Sequence, residues 1–165
     1  MDVGLTADQQ ALRGAVRELL GEQCPPAAVR AAWTDPSGVD GLWLRLAEMG
    51  VFGVAVPESA GGLGLDEMAL VPLLDEVGYA AVPAPVAETA AVVAPLLAAL
   101  GDPPGLLPDL LAGRAKVALA TGDLVPYGAR SDAVLTLDGE QAWLGKPEPA
   151  AVSTVDGSRA PATAD

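Results

Sequence analysis

The stretch 46–65 is the part of the sequence that most constrains the fold. A helix that begins near Val39 meets Gly50, which takes the left-handed C-cap conformation at little steric cost, so we predict that the helix ends there. The apolar run 51–56 is too short for a helix, and Pro57 pushes the residue before it toward extended geometry. The run is therefore predicted to be a buried, extended connector.

Three glycines follow this connector: Gly61, Gly62 and Gly64. A glycine-rich loop is one way of binding phosphate, and this alternative stays open here. However, the loop follows a proline, and it lacks the strand, the Gly-x-Gly-x-x-Gly spacing and the Gly-Lys-Ser/Thr of the known phosphate-binding motifs. We therefore favour a tight interhelical crossing, in which small residues let two backbones approach each other closely.

Helical spacing dominates the first two thirds of the chain. Thr6 and Gln9 form a capping-box pattern, which predicts a first helix over 7–23. In the later helix 66–77, the sequence favours Gly78 as the C-cap, and Asp75 and Glu76 are expected to point outward. The other predicted helical segments are 27–33, 39–49, 86–100, which is apolar on nearly all sides, and 106–113.

The core has few large side chains, since only 4% of the residues are aromatic while 51% are hydrophobic. A domain of this size buries about 70% of its unfolded surface. Leu, Val and Ala must therefore form most of the core, which favours packed helices over a β-sandwich. The large side chains expected in the core are Trp33, Trp43, Phe52 and Tyr79.

The pattern changes at Lys116. The segments 117–120, 133–137, 141–144 and 152–155 are predicted strands, and Asp138 with Gly139 indicates a hairpin turn. The fold class predicted is α+β: an N-terminal all-α helical bundle (1–115) followed by a partial antiparallel β-domain (116–165). Because about 50 residues of strand and loop rarely form an independent sheet domain, we expect further chain or another subunit to complete the sheet.

Charge and composition exclude several classes of function. A net charge of −13 with only nine Lys and Arg residues argues against binding to nucleic acid or to an anionic membrane. There is no histidine, so His-based catalytic sites and most zinc sites are excluded, and we predict no metal site. The single Cys24 is expected to be a small, partly buried apolar residue in a reducing compartment. We therefore expect a cytoplasmic protein without a signal peptide or membrane span.

Seven short motifs resemble, in order and spacing, the N-terminal helical domain of acyl-CoA dehydrogenases, over about residues 5–120. They are Leu5-Thr6-x-x-Gln9-x-x-Leu12, Trp43-x-x-Leu46-Ala47-Glu48-Met49-Gly50, Val56-Pro57-Glu58-x-x-Gly61-Gly62-x-Gly64, Asp75-Glu76-Val77-Gly78, Pro83-x-Pro85, Leu110-Leu111-Ala112-Gly113 and Ala118-Leu119-Ala120.

This resemblance implies an enzyme that uses FAD to remove two hydrogens from the α and β carbons of an acyl-CoA thioester. It also implies three domains, helical, β and four-helix, assembled as tetramers or α2β2 heterotetramers. In the family, the catalytic glutamate and the main adenine-side FAD contacts lie beyond the position of Asp165. No catalytic residue is therefore expected between residues 1 and 165.

The resemblance also suggests site residues. The start of helix 86–100 corresponds to a helix that borders the acyl-chain pocket in the family, which makes Glu88, Thr89 and Val92 candidate substrate-binding residues. The alternative is that Thr89 caps this helix and Glu88 complements its dipole. Thr121 and Ser131 are candidate flavin-binding residues. They lie in a segment that departs from the family's usual Thr-Glu-Pro-x-x-Gly-Ser-Asp, which indicates an abbreviated β-domain.

Three functions remain open at this point. The first is a subunit of an FAD-dependent acyl-CoA dehydrogenase in a homo- or hetero-oligomer. The second is a non-catalytic partner that stabilises a catalytic subunit and shapes its pocket without binding flavin itself. The third is a helical interaction module with no affinity for flavin or acyl-CoA. The sequence leaves the acyl group, fatty acid or steroid, undetermined.

Overall fold

The computed structural model describes residues 4–120, 122–149 and 156–163, in which a helical part is followed by two small sheets. This order confirms the α+β class, with helices first and strands afterwards. The boundary at 115/116 stays a prediction. The α-helices are α1 (Ala7–Gln23), α2 (Pro26–Ala31), α3 (Asp40–Glu48), α4 (Glu67–Tyr79), α5 (Val86–Glu88), α6 (Ala94–Ala99) and α7 (Leu107–Leu111).

The N-terminus of α1 shows the predicted capping box. The Thr6 side chain accepts a hydrogen bond from the Gln9 backbone N–H at 3.2 Å, and the Gln9 side chain accepts one from the Thr6 N–H at 3.0 Å. Both bonds satisfy N–H groups that have no partner within the helix. One face of α1, with Val16, Leu19 and Leu20, is buried, and the helix packs against α4.

Helix α4 differs from the prediction in its end and its inward face. Gly78 lies inside the helix, and the C-cap is Ala80. Glu76, expected outside, is only 3% exposed, whereas Met68 and Val71 are about 60% exposed. The inward acid is tolerated because Arg13 and Arg17 of α1 bind both of its carboxylate oxygens.

The connector after Gly50 is buried as predicted, but it is not extended. Gly50 has φ +77°, which confirms the left-handed C-cap. Residues Val51–Gly53 then form a 3₁₀ turn, and the N–H of Gly53 donates to the Gly50 carbonyl at 3.0 Å. Buried backbone groups need hydrogen-bond partners. Turn hydrogen bonds pair some of those in the connector, and N–H groups of the glycine loop pair the carbonyls of Gly53, Val54 and Val56.

The glycine loop brings two backbone segments into close contact, as predicted. A Cβ atom on Gly62 would lie 2.2 Å from the carbonyl oxygen of Val56, so only glycine fits there. The N–H of Gly64 donates to that same oxygen at 2.8 Å. The two partners are the loop and the connector that precedes it, rather than two helices.

The predicted helix 86–100 is a continuous helical stretch with a wide turn in its middle. A π-turn, Thr89–Val93, separates α5 from α6. The N–H of Ala94 donates to the carbonyl of Thr89, five residues earlier. In a regular α-helix the ring of Pro95 would clash with the carbonyl of Ala91, and the wider turn gives that ring room.

The strands of the β part are β1 (Val117–Ala120), β2 (Leu124–Val125), β3 (Ala133–Asp138), β4 (Gln141–Gly145), β5 (Glu148–Pro149) and β6 (Ala162–Thr163). They form two three-stranded sheets with the orders β1-β3-β4 and β2-β6-β5. The pairs β3–β4, β2–β6 and β5–β6 are antiparallel as expected, but β1 and β3 are parallel. The predicted hairpin turn is confirmed, with Gly139 at φ +58°. The predicted strand 152–155 lies outside the described residues.

Two of the four large aromatic side chains lie in the core. Trp43 and Phe52 are buried, with ring centroids 4.1 Å apart. The prediction is wrong for Trp33, which is 53% exposed in the turn after α2, and for Tyr79, which is 92% exposed at the end of α4. Trp33 follows the end of α2, and Tyr79 is the last residue of α4.

Candidate functional site

The candidate substrate-binding residues lie where the helical part meets the β part. The connector residues Pro83 and Pro85 are buried and lead into α5. The π-turn that begins at Thr89 packs against strand β1. This contact places the start of the helical stretch 86–99 directly beside the strand that leads to residue 121.

Thr89 is completely buried, and its hydroxyl has no hydrogen-bond partner among the described residues. The capping alternative is therefore wrong for Thr89: Pro85 occupies the N-cap position, and no side chain caps this helix. A buried hydroxyl without a partner costs about 1–3 kcal/mol. Such a group is uncommon in native proteins and calls for an explanation, for example a ligand that completes its hydrogen bond.

Glu88 and Val92 flank Thr89 and are both half-buried. The pKa of the Tyr127 phenol is raised chiefly by its burial, and the carboxylates of Glu88 and Asp156 raise it further, while the Arg159 guanidinium lowers it. The three candidates therefore combine an apolar side chain, a free hydroxyl and a carboxylate within one helical turn.

The candidate flavin-binding residues have different outcomes. Thr121 lies outside the described residues. Ser131 is half-buried, and its hydroxyl donates to the carbonyl of Tyr127 at 3.0 Å. The neighbouring Asp132 accepts the backbone N–H of Lys116 at 2.8 Å through its carboxylate, so its side chain aligns the starts of β1 and β3.

Tyr127 begins the short turn 127–131, and sequence reasoning did not single it out. It has φ +61°, the left-handed conformation that side chains other than glycine rarely adopt. Its ring lies 5.9 Å from the guanidinium carbon of Arg159. A sequence signal for this conformation is weak, because Tyr is not one of the residues enriched in left-handed backbone.

The turn 127–131 fits closely against the proline connector. Only about 10 Å³ of free space remains between them. The residues around this small space come from both parts of the chain, and we call this region the junction. Its members are Val39, Pro83, Ala84, Pro85, Lys116, Tyr127, Arg130 and Ser131.

A cleft of about 810 Å³ lies elsewhere, between the C-terminal halves of α1 and α4. Cys24 lines this cleft and is 4% exposed, so it is more deeply buried than predicted. Burial raises the pKa of its thiol, so the thiol is neutral at physiological pH. Arg17 and Glu76 also line the cleft, and they are hydrogen-bonded to each other.

The helical part matches a known family model. The model described as "Acyl-CoA dehydrogenase, N-terminal domain" covers residues 6–104. The chain belongs to the acyl-CoA dehydrogenase family. The resemblance that the sequence motifs indicated is thereby confirmed. This acyl-CoA dehydrogenase segment also aligns with curated relatives and with solved structures.

Two curated relatives from Mycobacterium tuberculosis illustrate the similarity. Acyl-CoA dehydrogenase IpdE2 is 35% identical over 131 residues, which cover 78% of this chain and 41% of the relative. Acyl-CoA dehydrogenase FadE34 is 39% identical over 95 residues, which cover 52% of this chain and 13% of the relative. The chain thus spans less than half the length of the curated relatives it matches.

Solved structures of the family have the same fold over most of the chain. The Tcur3481-Tcur3483 steroid ACAD G363A variant has a TM-score of 0.65 and 28% identity, and the match covers 83% of this chain and 46% of that one. The ChsE4-ChsE5 complex from Mycobacterium tuberculosis has a TM-score of 0.71, and the match covers 94% of this chain and 52% of that one. At 24% identity, the second match supports the fold alone.

Membership of the acyl-CoA dehydrogenase family implies FAD as the cofactor. Of the side chains considered for a flavin site, only some have a hydrogen-bonding group that is not already used within the protein. The hydroxyl of Thr89 is available for a hydrogen bond. The hydroxyl hydrogen of Ser131 is already donated to Tyr127, and the carboxylate of Asp132 is used in the sheet. Of these three side chains, only that of Thr89 has no hydrogen-bond partner among the described residues.

Within the described residues, no helix is both long and apolar enough to cross a membrane, and no three acidic or cysteine side chains cluster to hold a metal ion.

Proposed function

We propose that this chain is the N-terminal domain (1–115) and an abbreviated β-domain (116–165) of a subunit of an FAD-dependent acyl-CoA dehydrogenase. The reaction would be the α,β-dehydrogenation of an acyl-CoA thioester, with the catalytic base outside residues 1–165. Family membership supports this proposal, as do relatives that are acyl-CoA dehydrogenases by name. We place the enzyme in the cytoplasm, because Cys24 is a buried free thiol that suits a reducing compartment.

The subunit is proposed to work in a homo- or hetero-oligomer with another acyl-CoA dehydrogenase subunit. Support comes from one of the similar structures, which is a complex of two proteins, ChsE4 and ChsE5. The small sheets also support this idea, since β4 is exposed along its whole length and lies at the edge of its sheet. An exposed edge strand is a place where further protein can pair or pack.

The single observation that carries the proposal is the unpaired, buried hydroxyl of Thr89. Its position in a π-turn is typical of functional sites, where such turns often occur. We propose that the region around Thr89 forms one wall of the acyl-thioester pocket. Thr89 would donate a hydrogen bond to the bound ligand, Val92 would exclude water from the acyl chain, and Glu88 would provide the polar rim.

The test replaces Thr89 by valine, which has nearly the same shape but no hydroxyl. In the full-length protein we expect T89V to weaken binding of a CoA thioester about tenfold, the equivalent of one lost hydrogen bond of about 1.4 kcal/mol. Isothermal titration with short- and long-chain acyl-CoAs measures this change. The stability of T89V should stay equal or rise, because an unpaired polar group is removed from the core.

The matched control is T34V, since Thr34 is exposed and lies far from the π-turn in sequence. T34V should leave the dissociation constant unchanged. Equal affinity of T89V and the natural protein for every acyl-CoA tested would show that Thr89 does not line the pocket.

A second candidate function is favoured by one observation, the engagement of Ser131 within its own turn. In that case the chain belongs to a non-catalytic partner that shapes the pocket of another subunit. Purification of the full-length protein with its partner, followed by a count of flavins per heterodimer, distinguishes the two functions. If each heterodimer holds one flavin and S131A retains it, the partner function is supported. If S131A loses flavin, direct binding of flavin by this subunit is supported.

A further inference from the structure

We propose that Asp40 is a positioning residue for the proposed pocket, acting through an ionic latch formed by Asp40, Lys116 and Arg130. This inference rests on the proposed function, because it concerns the same pocket. The latch joins the first turn of α3 to two points of the β part: the residue before β1, and the turn 127–131.

The contacts of the latch are direct. The Lys116 ammonium donates to the Asp40 carboxylate, and the Arg130 guanidinium lies 3.3 Å from both of its oxygens. Arg130 also donates to the backbone carbonyl of Pro36 at 2.5 Å. One carboxylate thus holds two cations from segments that are 76 and 90 residues away in sequence.

The burial of the three charges is unequal. The side chains of Lys116 and Arg130 are 18% and 26% exposed, whereas that of Asp40 is 49% exposed. The Lys116 ammonium also lies 5.6 Å from the ring centroid of Trp43, which adds a cation–π contact to a buried side chain. Without the negative charge of Asp40, two partly desolvated cations would face each other, and their repulsion would separate them.

Each cation holds one side of the proposed pocket. Lys116 precedes β1, and β1 packs against the π-turn that contains Thr89. Arg130 lies within the turn 127–131, and its backbone N–H donates to the carbonyl of Tyr127 at 3.1 Å. Asp40 therefore links the strand that packs against the π-turn to the turn that carries Tyr127 and Ser131, in addition to the hydrogen bonds between Lys116 and Asp132.

An ordinary surface ion pair would not behave in this way, since such pairs contribute about 0–1 kcal/mol and have no distant effect. The chain offers such a pair on the same helix. Arg45 and Glu48 of α3 form an ion pair in which both side chains are more than half exposed, at 59% and 62%. The variants D40N and E48Q therefore remove the same charge from the same helix, and only D40N disturbs the latch.

Hydrogen exchange of the full-length protein, followed by mass spectrometry, tests the latch independently of activity. We expect D40N to speed exchange about tenfold in peptides that cover 116–120 and 127–132, with α1 and α4 unchanged. E48Q should exchange like the natural protein. Unchanged exchange at 127–132 in D40N, or a uniform rise over the whole chain, would overturn the proposal.

Acyl-CoA binding by the same variants tests the positioning role. D40N should weaken binding about tenfold, and D40E, which keeps the charge, should restore most of the affinity. Faster exchange in D40N without any change in affinity would overturn the positioning role. If the natural protein binds no acyl-CoA, the proposed function is wrong, and so is the positioning role of Asp40. The hydrogen-exchange data then still decide whether the latch exists.

Discussion

The helical part and the β part of this chain are stabilised in different ways. The helical part buries large side chains, including Trp43, Phe52 and Leu46, in a core of its own. One face of the β part, with Val117, Ala133 and Leu135, packs against helical residues in a shared cluster. The cluster that belongs to the β part alone is small and contains Ala118, Ala120, Val125, Val134 and Ala162. The outer faces of the β part leave Leu124, Leu137, Trp143 and Leu144 between 38% and 48% exposed. Because stability increases with buried apolar area, the helical part provides most of the stability of the chain. The β part depends for its stability on its contacts with the helical part.

Two clusters each use one carboxylate to hold two cations, one within the helical part and one between the two parts, but the burial is reversed. In the helical part the acid, Glu76, is 4% exposed, and its partners Arg13 and Arg17 are 34% and 65% exposed. In the latch the acid is half exposed and the cations are more buried. The first cluster therefore contributes to the stability of the helix pair α1–α4, whereas the second determines the position of one part relative to the other.

The most disruptive single change should be G62A, which tests the rigid packing of the helical part. The added Cβ would lie 2.2 Å from the Val56 carbonyl oxygen, and a backbone atom has little freedom to move away. We expect a loss of about 3 kcal/mol or more in the free energy of unfolding, measured by urea denaturation.

The control for this change is G14A, since Gly14 lies on the exposed side of α1 with no atom within 4 Å of an added Cβ. G14A should stabilise the protein by about 0.5–1 kcal/mol, because alanine is the better helix former. Similar destabilisation by both variants would mean that the close contact at Gly62 is not the reason why G62A lowers the free energy of unfolding.

An intermediate effect is expected for E76Q, which keeps the size of the side chain but removes its charge. Two arginines would lose the carboxylate that they share, and we expect a loss of about 2 kcal/mol at about pH 7, by urea denaturation. The neighbour variant D75N is the control, because the Asp75 side chain is 70% exposed, and it should change stability by less than about 0.5 kcal/mol.

The same variant has a defined pH dependence. The hydrogen bond from Arg17, followed by that from Arg13, lowers the pKa of Glu76, although burial opposes this shift. A carboxylate with a lowered folded-state pKa contributes stability above its unfolded-state pKa of about 4.3, and this contribution is lost as the pH falls through the folded-state value. The difference in the free energy of unfolding between the natural protein and E76Q should therefore decrease below about pH 4. A difference in the free energy of unfolding that stays constant down to about pH 3 would contradict the assignment of Glu76 as a carboxylate with a lowered pKa.

The smallest effect should come from W143S in the β part. Trp143 is 48% exposed and lies opposite Thr136 on the neighbouring strand. We expect a loss of about 0.5 kcal/mol or less in thermal or urea unfolding, similar to that of W33S on the helical side. A much larger loss for W143S would show that the sheet is covered by other protein in the full-length molecule, and would sharpen the contrast between the two parts.

Local signals in the sequence predicted much of this fold. The capping box at Thr6, the left-handed Gly50 and the hairpin at Asp138 each depend on contacts within a few residues, and all three are confirmed. The sequence motifs also led to the correct family. Interactions between neighbours in sequence can be predicted because the pattern contains both partners.

Interactions between distant residues could not be predicted in the same way. Glu76 points inward because its partners lie 59 and 63 residues away, and Asp40 meets Arg130 across 90 residues. For the candidate site, the helix start at Thr89 was singled out through the resemblance alone, and its pocket role stays a prediction. The unusual backbone of Tyr127 had no signal, because its conformation depends on tertiary contacts.

The parallel pairing of β1 with β3 limits how this protein can vary. Two parallel strands need a return path between them, and twelve residues, 121–132, provide it here. A strand of four residues spans about 13 Å, so this path must retrace at least that distance. Shortening the segment by several residues would prevent the pairing. Natural selection is therefore expected to conserve the length of this segment, together with Arg130 and Asp132, whose side chains tie it to α3 and to the start of β1.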